Sequence, residues 1–192
     1  MKKRSGTAVS SADFRTSAPR LARRLIGATL LVGGVGGVIV ETEAYDQTDE
    51  ASHAFGGLTP RSAVLFGPAG HAYVYRSYGI HWCLNFVCRE TGHAAGVLIR
   101  ALEPTAGIAK MIARRHLTDP RRLCAGPGRL CEALAVTGGL NGKPLDERPF
   151  RVLLPAVTPL VVVGPRIGIS KAASTPWRFG LKGSRYLSRP FP

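Results

Sequence analysis

The chain has 192 residues, 45% of them hydrophobic, with a mean hydropathy of +0.06. That excludes a disordered chain and allows one domain with its own core. The 26 Lys and Arg against 12 Asp and Glu give a formal net charge of +14, which favours a polyanionic partner, nucleic acid first.

Residues 1–19, beginning MKKRSGTAVSS, are basic and polar and lack the apolar stretch of a signal peptide. They are expected to form a flexible basic arm ahead of a single domain over 20–192, in a cytoplasmic protein. Pro19 to Arg24 predicts a short helix that Gly27 ends. ATLLV, GGVGG and VIVETEAY predict strand, turn and strand. The glycines at 33–37 precede a strand and no GK[ST] follows, so they are hairpin glycines and not a phosphate loop. The apolar run Leu25–Val40 is broken by glycines and is shorter than the roughly 18–20 residues of a membrane span. HAYVY and IHWCLNFV, joined by RSYG, predict a second, protruding hairpin. GVLIRALEP predicts a strand stopped by Pro104. TAGIAKMIARRHL predicts a helix with apolar and basic faces, and GPGRLCEALAV a second with a Gly-Pro start. VLLPAVTPLVVVGPRIGI predicts one or two strands, and PWRFGLKGSRYLS a last strand or hairpin. The class is α+β, with mostly antiparallel strands and several short helices. Cys83, Cys88, Cys124 and Cys131 lack zinc-ribbon spacing and are read as packed, reduced thiols.

The charge is uneven. Residues 1–40 hold seven Lys/Arg and one acid, 41–104 hold four and seven, and 105–192 hold fifteen and four. Two basic flanks suited to phosphate therefore surround an acidic middle that must do something else. Five of the acids, Glu41, Glu43, Asp46, Asp49 and Glu50, fall within VIVETEAYDQTDEASHAF. A strand period of two puts Glu41, Glu43 and Tyr45 on one face and Val40, Thr42 and Ala44 on the other. Paired carboxylates can serve acid/base chemistry or simply make hydrogen bonds. His53 follows them, but one His without a partner at ligand spacing is weak ground for a metal, and no metal or other cofactor is expected.

Tyr73 and Tyr75 share a strand face, the usual setting of core tyrosines. Tyr78 lies in the RSYG turn, where it either folds back on the sheet or wedges into a base stack. Asn85 in an apolar strand must bond backbone or a polar ligand. Arg100, also in an apolar run, must pair with a carboxylate or a phosphate. Carboxylate, tyrosines, His, Asn and Arg on adjacent strands are the inventory an enzyme needs to act on one flipped base of a nucleic acid.

VIVETEAY, ASHAFGGLTPR, YVYRSYGIHWCLN, VLIRALEP, CAGPGRLCEALAV and PRIGIS, spread over about Leu21 to Leu187, resemble the alkyladenine (3-methyladenine) DNA glycosylase family. The resemblance implies a single mixed domain built around a curved antiparallel sheet. It implies a monomeric, nucleoid-associated bacterial enzyme that flips a damaged purine out of double-stranded DNA and hydrolyses its N-glycosidic bond. By it, Glu43 is the general base, and Arg100 and the Ile167 carbonyl help hold the attacking water. Tyr45 stacks on one face of the base, with His53 and Tyr75 on the other, and the His53 backbone bonds the base edge. Tyr73 supports His53, Tyr78 fills the gap in the duplex, and Asn85 screens against the guanine 2-amino group. Glu41, Asp46, Asp49 and Glu50 are left to structural bonding and loop charge. Lyase chemistry would need an amine nucleophile. No lysine falls in these motifs, so a monofunctional enzyme is expected. Arg76-Ser77 and His81 depart from the family pattern, which puts lesion preference in question. Two rivals remain. One is a non-enzymatic nucleic-acid binder of similar fold, which would not need Glu43 with Arg100. The other is a metal-dependent hydrolase using the acids and His53, which a chelator would inhibit.

Overall fold

The structure, a computed structural model, describes residues 6–192. In chain order its elements are β1 (Thr7–Ala8), α1 (Ala18–Arg24), β2 (Thr29–Val32), β3 (Val35–Asp46), β4 (Ala72–Ser77), β5 (His81–Val87), β6 (Ala95–Ala106), α2 (Ile108–Arg115), α3 (Pro120–Leu123), α4 (Pro127–Leu134), β7 (Phe150–Leu154), β8 (Val161–Gly164) and β9 (Arg178–Leu181). The class is α+β, as expected. Among the described residues the strands form one antiparallel sheet in the order β1-β7-β2-β3-β6-β5-β4, with a β8–β9 ribbon attached through β9 to β3. No helix among the described residues is long and apolar enough to cross a membrane.

Strand alternation gives the sheet two different faces. Ala72 and Val74 of β4, Leu84 and Phe86 of β5, and Val97 and Ile99 of β6 point into the main core with residues of α1, α2 and α4. Their neighbours Tyr73, Tyr75, Cys83, Asn85, Leu98 and Arg100 point the other way and line a cavity. A single period-two pattern thus separates what folds the protein from what can meet a ligand.

Strand β3 changes neighbours midway. Its first half pairs with β2, and Glu41 to Glu43 pair instead with β9, while β6 runs along its other side. The switch coincides with a bulge, since Ile39 faces Leu102, Glu41 faces Ala101, and Val40 between them is unpaired. This corrects the expected facing. Val40 packs with Val38, Ala101 and Leu187, next to Ser188, which bonds Glu41. The extra residue puts Val40 and Glu41 on one side. Thr42 and Ala44 do point away, with the Thr42 hydroxyl donating to the Ala22 carbonyl of α1 at 2.9 Å.

Two further expectations are corrected. Strand β6 does not stop at Pro104 but runs to Ala106. Pro104 faces Gly37 at a register shift, where a proline interrupts no regular ladder. The approach is so close there that a Cβ on Gly37 would run into the Glu103 carbonyl. Nor are residues 6–19 a loose arm. Thr7 and Ala8 pair with β7, Asp13 accepts from the Ser10 N–H and pairs with Arg24 at 2.6 Å, and Phe14 is 1% exposed, edge-on to Phe86. The aromatic anchor outweighs the polar composition around it. The basic residues Lys2, Lys3 and Arg4 lie outside the described residues.

The anchor is testable. Phe14→Ala should lower unfolding stability by about 3–5 kcal/mol, as for other buried aromatic truncations, read from the midpoint of a denaturant titration. An unchanged midpoint would restore the loose-arm reading.

Candidate active site

Glu43 stands where β6 and β9 flank β3, opposite Leu98 on one side and Arg178 on the other. It is 0% exposed. Its Oε1 accepts the Ile167 backbone N–H at 2.8 Å. Its Oε2 accepts from Arg100 Nη1 at 3.2 Å and from the Tyr45 hydroxyl at 3.0 Å. Burial raises its pKa, and the charge of Arg100, the Ile167 N–H and the Tyr45 hydroxyl pull it back down. Arg100 shows the opposite sign of the same pairing, since Glu43 and Glu41 raise its pKa against the cost of its own burial. Burial is the largest effect at the carboxylate, and the nearby charge of Glu41 adds to it. A carboxylate so placed is a stronger base than an exposed one.

Above Glu43 lies a cavity of about 650 Å³. Tyr45, His53, Tyr73, Tyr75, Tyr78, Asn85, Arg100 and Ile167 all line it, so the structure gathers every sequence-predicted site residue in one place, with Glu43 just beneath. His53 Nδ1 lies 3.0 Å from the Tyr73 hydroxyl. Its ring meets Tyr75 edge-on at 4.4 Å between centroids, and Tyr73 stacks on Tyr75 at 5.3 Å. His53 sits at the exposed rim, but packing of its ring and the charge of Arg61 lower its pKa, so the imidazole is neutral at neutral pH. Asn85 Nδ2 donates to the Tyr73 carbonyl at 3.2 Å, which leaves the side chain fixed at the cavity wall. Ile167 meets Glu43 through its N–H, whereas the expectation concerned its carbonyl.

Tyr78 is 90% exposed at the tip of the β4–β5 hairpin, with φ +49°. Gly79 follows at φ +68° and Ile80 is 66% exposed. The ring therefore does not fold back on the sheet. His81, which closes the turn opposite Ser77, packs against Gly128 of α4, where a Cβ would strike its ring, so the tip end of the hairpin is braced by the Gly-Pro start of that helix.

Sequence reasoning left several site residues without a role. Arg166 of PRIGIS is 5% exposed, pairs with Asp49, donates to the Ala44 carbonyl at 2.9 Å, and sits 4.6 Å from the Tyr45 ring centroid and 5.4 Å from that of Trp177. It backs the aromatic floor of the cavity. The logic applied to Arg100, a cation in an apolar run, applies to it equally. Arg178, Ser188 and Glu41 form the network behind Arg100, described below. Asp46 bonds His93 and Thr48, and Glu50 is exposed. Structural bonding and loop charge thus account for the remaining acids. No group of three or more His, Cys, Asp or Glu able to hold a metal ion occurs among the described residues. The cysteines are all buried free thiols.

The model of the family Methylpurine-DNA glycosylase (MPG) matches residues 12–185. Among curated proteins, one from Nitrosospira multiformis is 63% identical over 181 residues, covering 94% of each chain. One from Rhodopseudomonas palustris is 62% identical over 93% of this chain and 87% of its own. One from Bradyrhizobium diazoefficiens is 57% identical over 98% and 94%. All three bear provisional names as 3-methyladenine DNA glycosylases. The chain belongs to the methylpurine-DNA glycosylase family and is a DNA glycosylase, a hydrolase of N-glycosyl bonds.

Proposed function

We propose that this glycosylase extrudes an alkylated or deaminated purine from double-stranded DNA into the cavity and that Glu43 activates the water that releases it. The observation carrying this reading is the wholly buried Glu43, held by Arg100, Ile167 and Tyr45 directly beneath an aromatic-lined cavity.

Tyr45 stacks on one face of the flipped base, and His53 with Tyr75 closes on the other. A neutral His53 suits this, because an imidazolium would repel a base made cationic by alkylation. Asn85, held by the Tyr73 carbonyl, stands at the base edge. Water adds its oxygen to C1′ of the sugar and gives its proton to Glu43, while the glycosidic bond breaks with its electrons going to the base. Arg100 and the Ile167 carbonyl hold that water. An alkylated base leaves neutral, without a proton; a deaminated base leaves as an anion and takes its proton from water. The sugar passes through an oxocarbenium-like state that the Glu43 charge stabilises. The product is an abasic site. The reaction stops there, because no lysine lines the cavity among the described residues, and a β-lyase needs an amine to form a Schiff base. Tyr78, held outward at the hairpin tip, fills the space the purine leaves. The enzyme works as a monomer.

The binding-module alternative is served less well. A site that only bound a base would not need a buried carboxylate sharing an arginine.

Glu43→Gln should lower single-turnover base release from hypoxanthine, ethenoadenine and methylated duplexes by about 100- to 10,000-fold while DNA binding persists. Borohydride should trap no protein–DNA adduct in either protein. Base release unchanged in the variant, or none by folded wild type, contradicts the reading. Tyr78→Ala should slow release from duplex more than from single-stranded substrate, where no gap needs filling. Equal slowing on both would remove Tyr78 from that role.

A further inference from the structure

The residues behind Arg100 form a structure that the reaction does not account for. Glu41 is wholly buried, is not among the residues that line the cavity, and hydrogen-bonds one that is, Arg100. Four donors converge on it among the described residues: Arg100 Nε at 3.1 Å, Arg178 Nε at 2.8 Å, the Ser188 N–H at 2.5 Å and the Ser188 hydroxyl at 2.8 Å. Ser188 Oγ also stands 3.5 Å from Arg100 Nη2. Arg178 also donates to the carbonyls of Arg189 and Pro190, and its guanidinium lies 3.9 Å from the Phe191 ring centroid. Phe191 in turn occupies a seat made by two absences. A Cβ on Gly180 of β9 or on Gly164 of β8 would meet its ring.

We propose that Ser188 and Phe191 are positioning residues of the active site, which hold Glu41 and Arg178 so that Arg100 stays engaged with Glu43. The inference rests on Glu43 being the general base. The charges alternate in the order Arg178, Glu41, Arg100, Glu43, and Arg100 is shared between the two acids. How it is shared depends on what else Glu41 has. While Ser188 satisfies Glu41 with two neutral donors, Arg100 is free to face Glu43. With the Ser188 hydroxyl removed, Glu41 becomes short of donors and draws Arg100 toward itself. Glu43 then loses its main stabilising cation. Phe191 acts one step further out, keeping Arg178 on Glu41 and the segment 188–191 in register. Neither residue lines the cavity, so neither touches a base.

The other groups that face Glu43 do not involve this segment. They are Tyr45 along β3, Cys83 from β5 and the Ile167 N–H. Arg166 lies behind Tyr45. A change at Ser188 therefore reaches Glu43 only through Glu41, Arg100 and Arg178.

The test is single-turnover base release across a pH series, with duplex binding measured in parallel. Ser188→Ala should slow release by about tenfold, the scale of one hydrogen bond to a charged group, and move the acid limb to higher pH while binding stays constant. Ser188→Thr keeps the hydroxyl and should restore both. Phe191→Ala and Gly180→Ala should act in the same direction. The double variant should be no worse than the more damaging single one, because both changes unseat the same ring. Wild-type rate and pH profile in Ser188→Ala would overturn the inference alone, as would slowing with an unmoved acid limb, which would mark a purely structural role. If wild type releases no base, the general-base reading falls and takes this inference with it.

Discussion

Two carboxylates and two guanidiniums share one dry layer beneath the cavity, and the site is organised around their balance. Glu41 and Glu43 are both 0% exposed, and Arg100 and Arg178 are nearly so. An unpaired charge there would cost several kcal/mol. The chain meets that cost by alternating the signs and adding neutral donors at both ends, Ser188 on Glu41 and the Ile167 N–H with Tyr45 on Glu43. The two ends differ in exposure to the cavity. Glu41 is closed in by the segment around Ser188, whereas the partners of Glu43 are themselves cavity-lining residues. A charge network that is structural at one end is thereby available for chemistry at the other.

The fold places this layer through one irregularity. The bulge at Val40 is where β3 leaves β2 and takes β9 as its partner. It brings Arg178 of β9 and Arg100 of β6 to either side of the same two acids. Bulges are common beside active sites because they re-aim side chains that a regular strand would bury elsewhere. The other face of the same strands is ordinary core, so the rigidity of the site is supplied by the packing of Ile39, Ala44, Val97 and Ile99.

Much of this could be read from the sequence, and the reasons for success and failure are physical. Period-two alternation in YVY put Tyr73 and Tyr75 on one face of β4, and both line the cavity. The cost of burying Arg100 demanded a carboxylate or a phosphate, and it pairs with two carboxylates. The same cost applies to Arg166, whose place behind Tyr45 depends on a loop from a distant part of the chain bringing Asp49 to it. Periodicity has no access to such a contact. The errors at Val40 and Pro104 share a cause, since each sits at a register shift and local pattern cannot announce one. In residues 6–19 the polar composition points to a loose arm, and a single aromatic overrides it. One buried Phe14 with Val9 and a short edge strand is enough to hold a polar segment down.

Burial, opposed by the charge of a shared Arg100, leaves Glu43 a base of raised pKa. A carboxyl-carbon NMR titration of the free protein, with Glu43→Gln identifying the resonance by its loss, measures this directly. The expected Glu43 midpoint lies above the ordinary glutamate value of 4.5. A midpoint below 4.5 would show that Arg100 outweighs burial and would contradict the account.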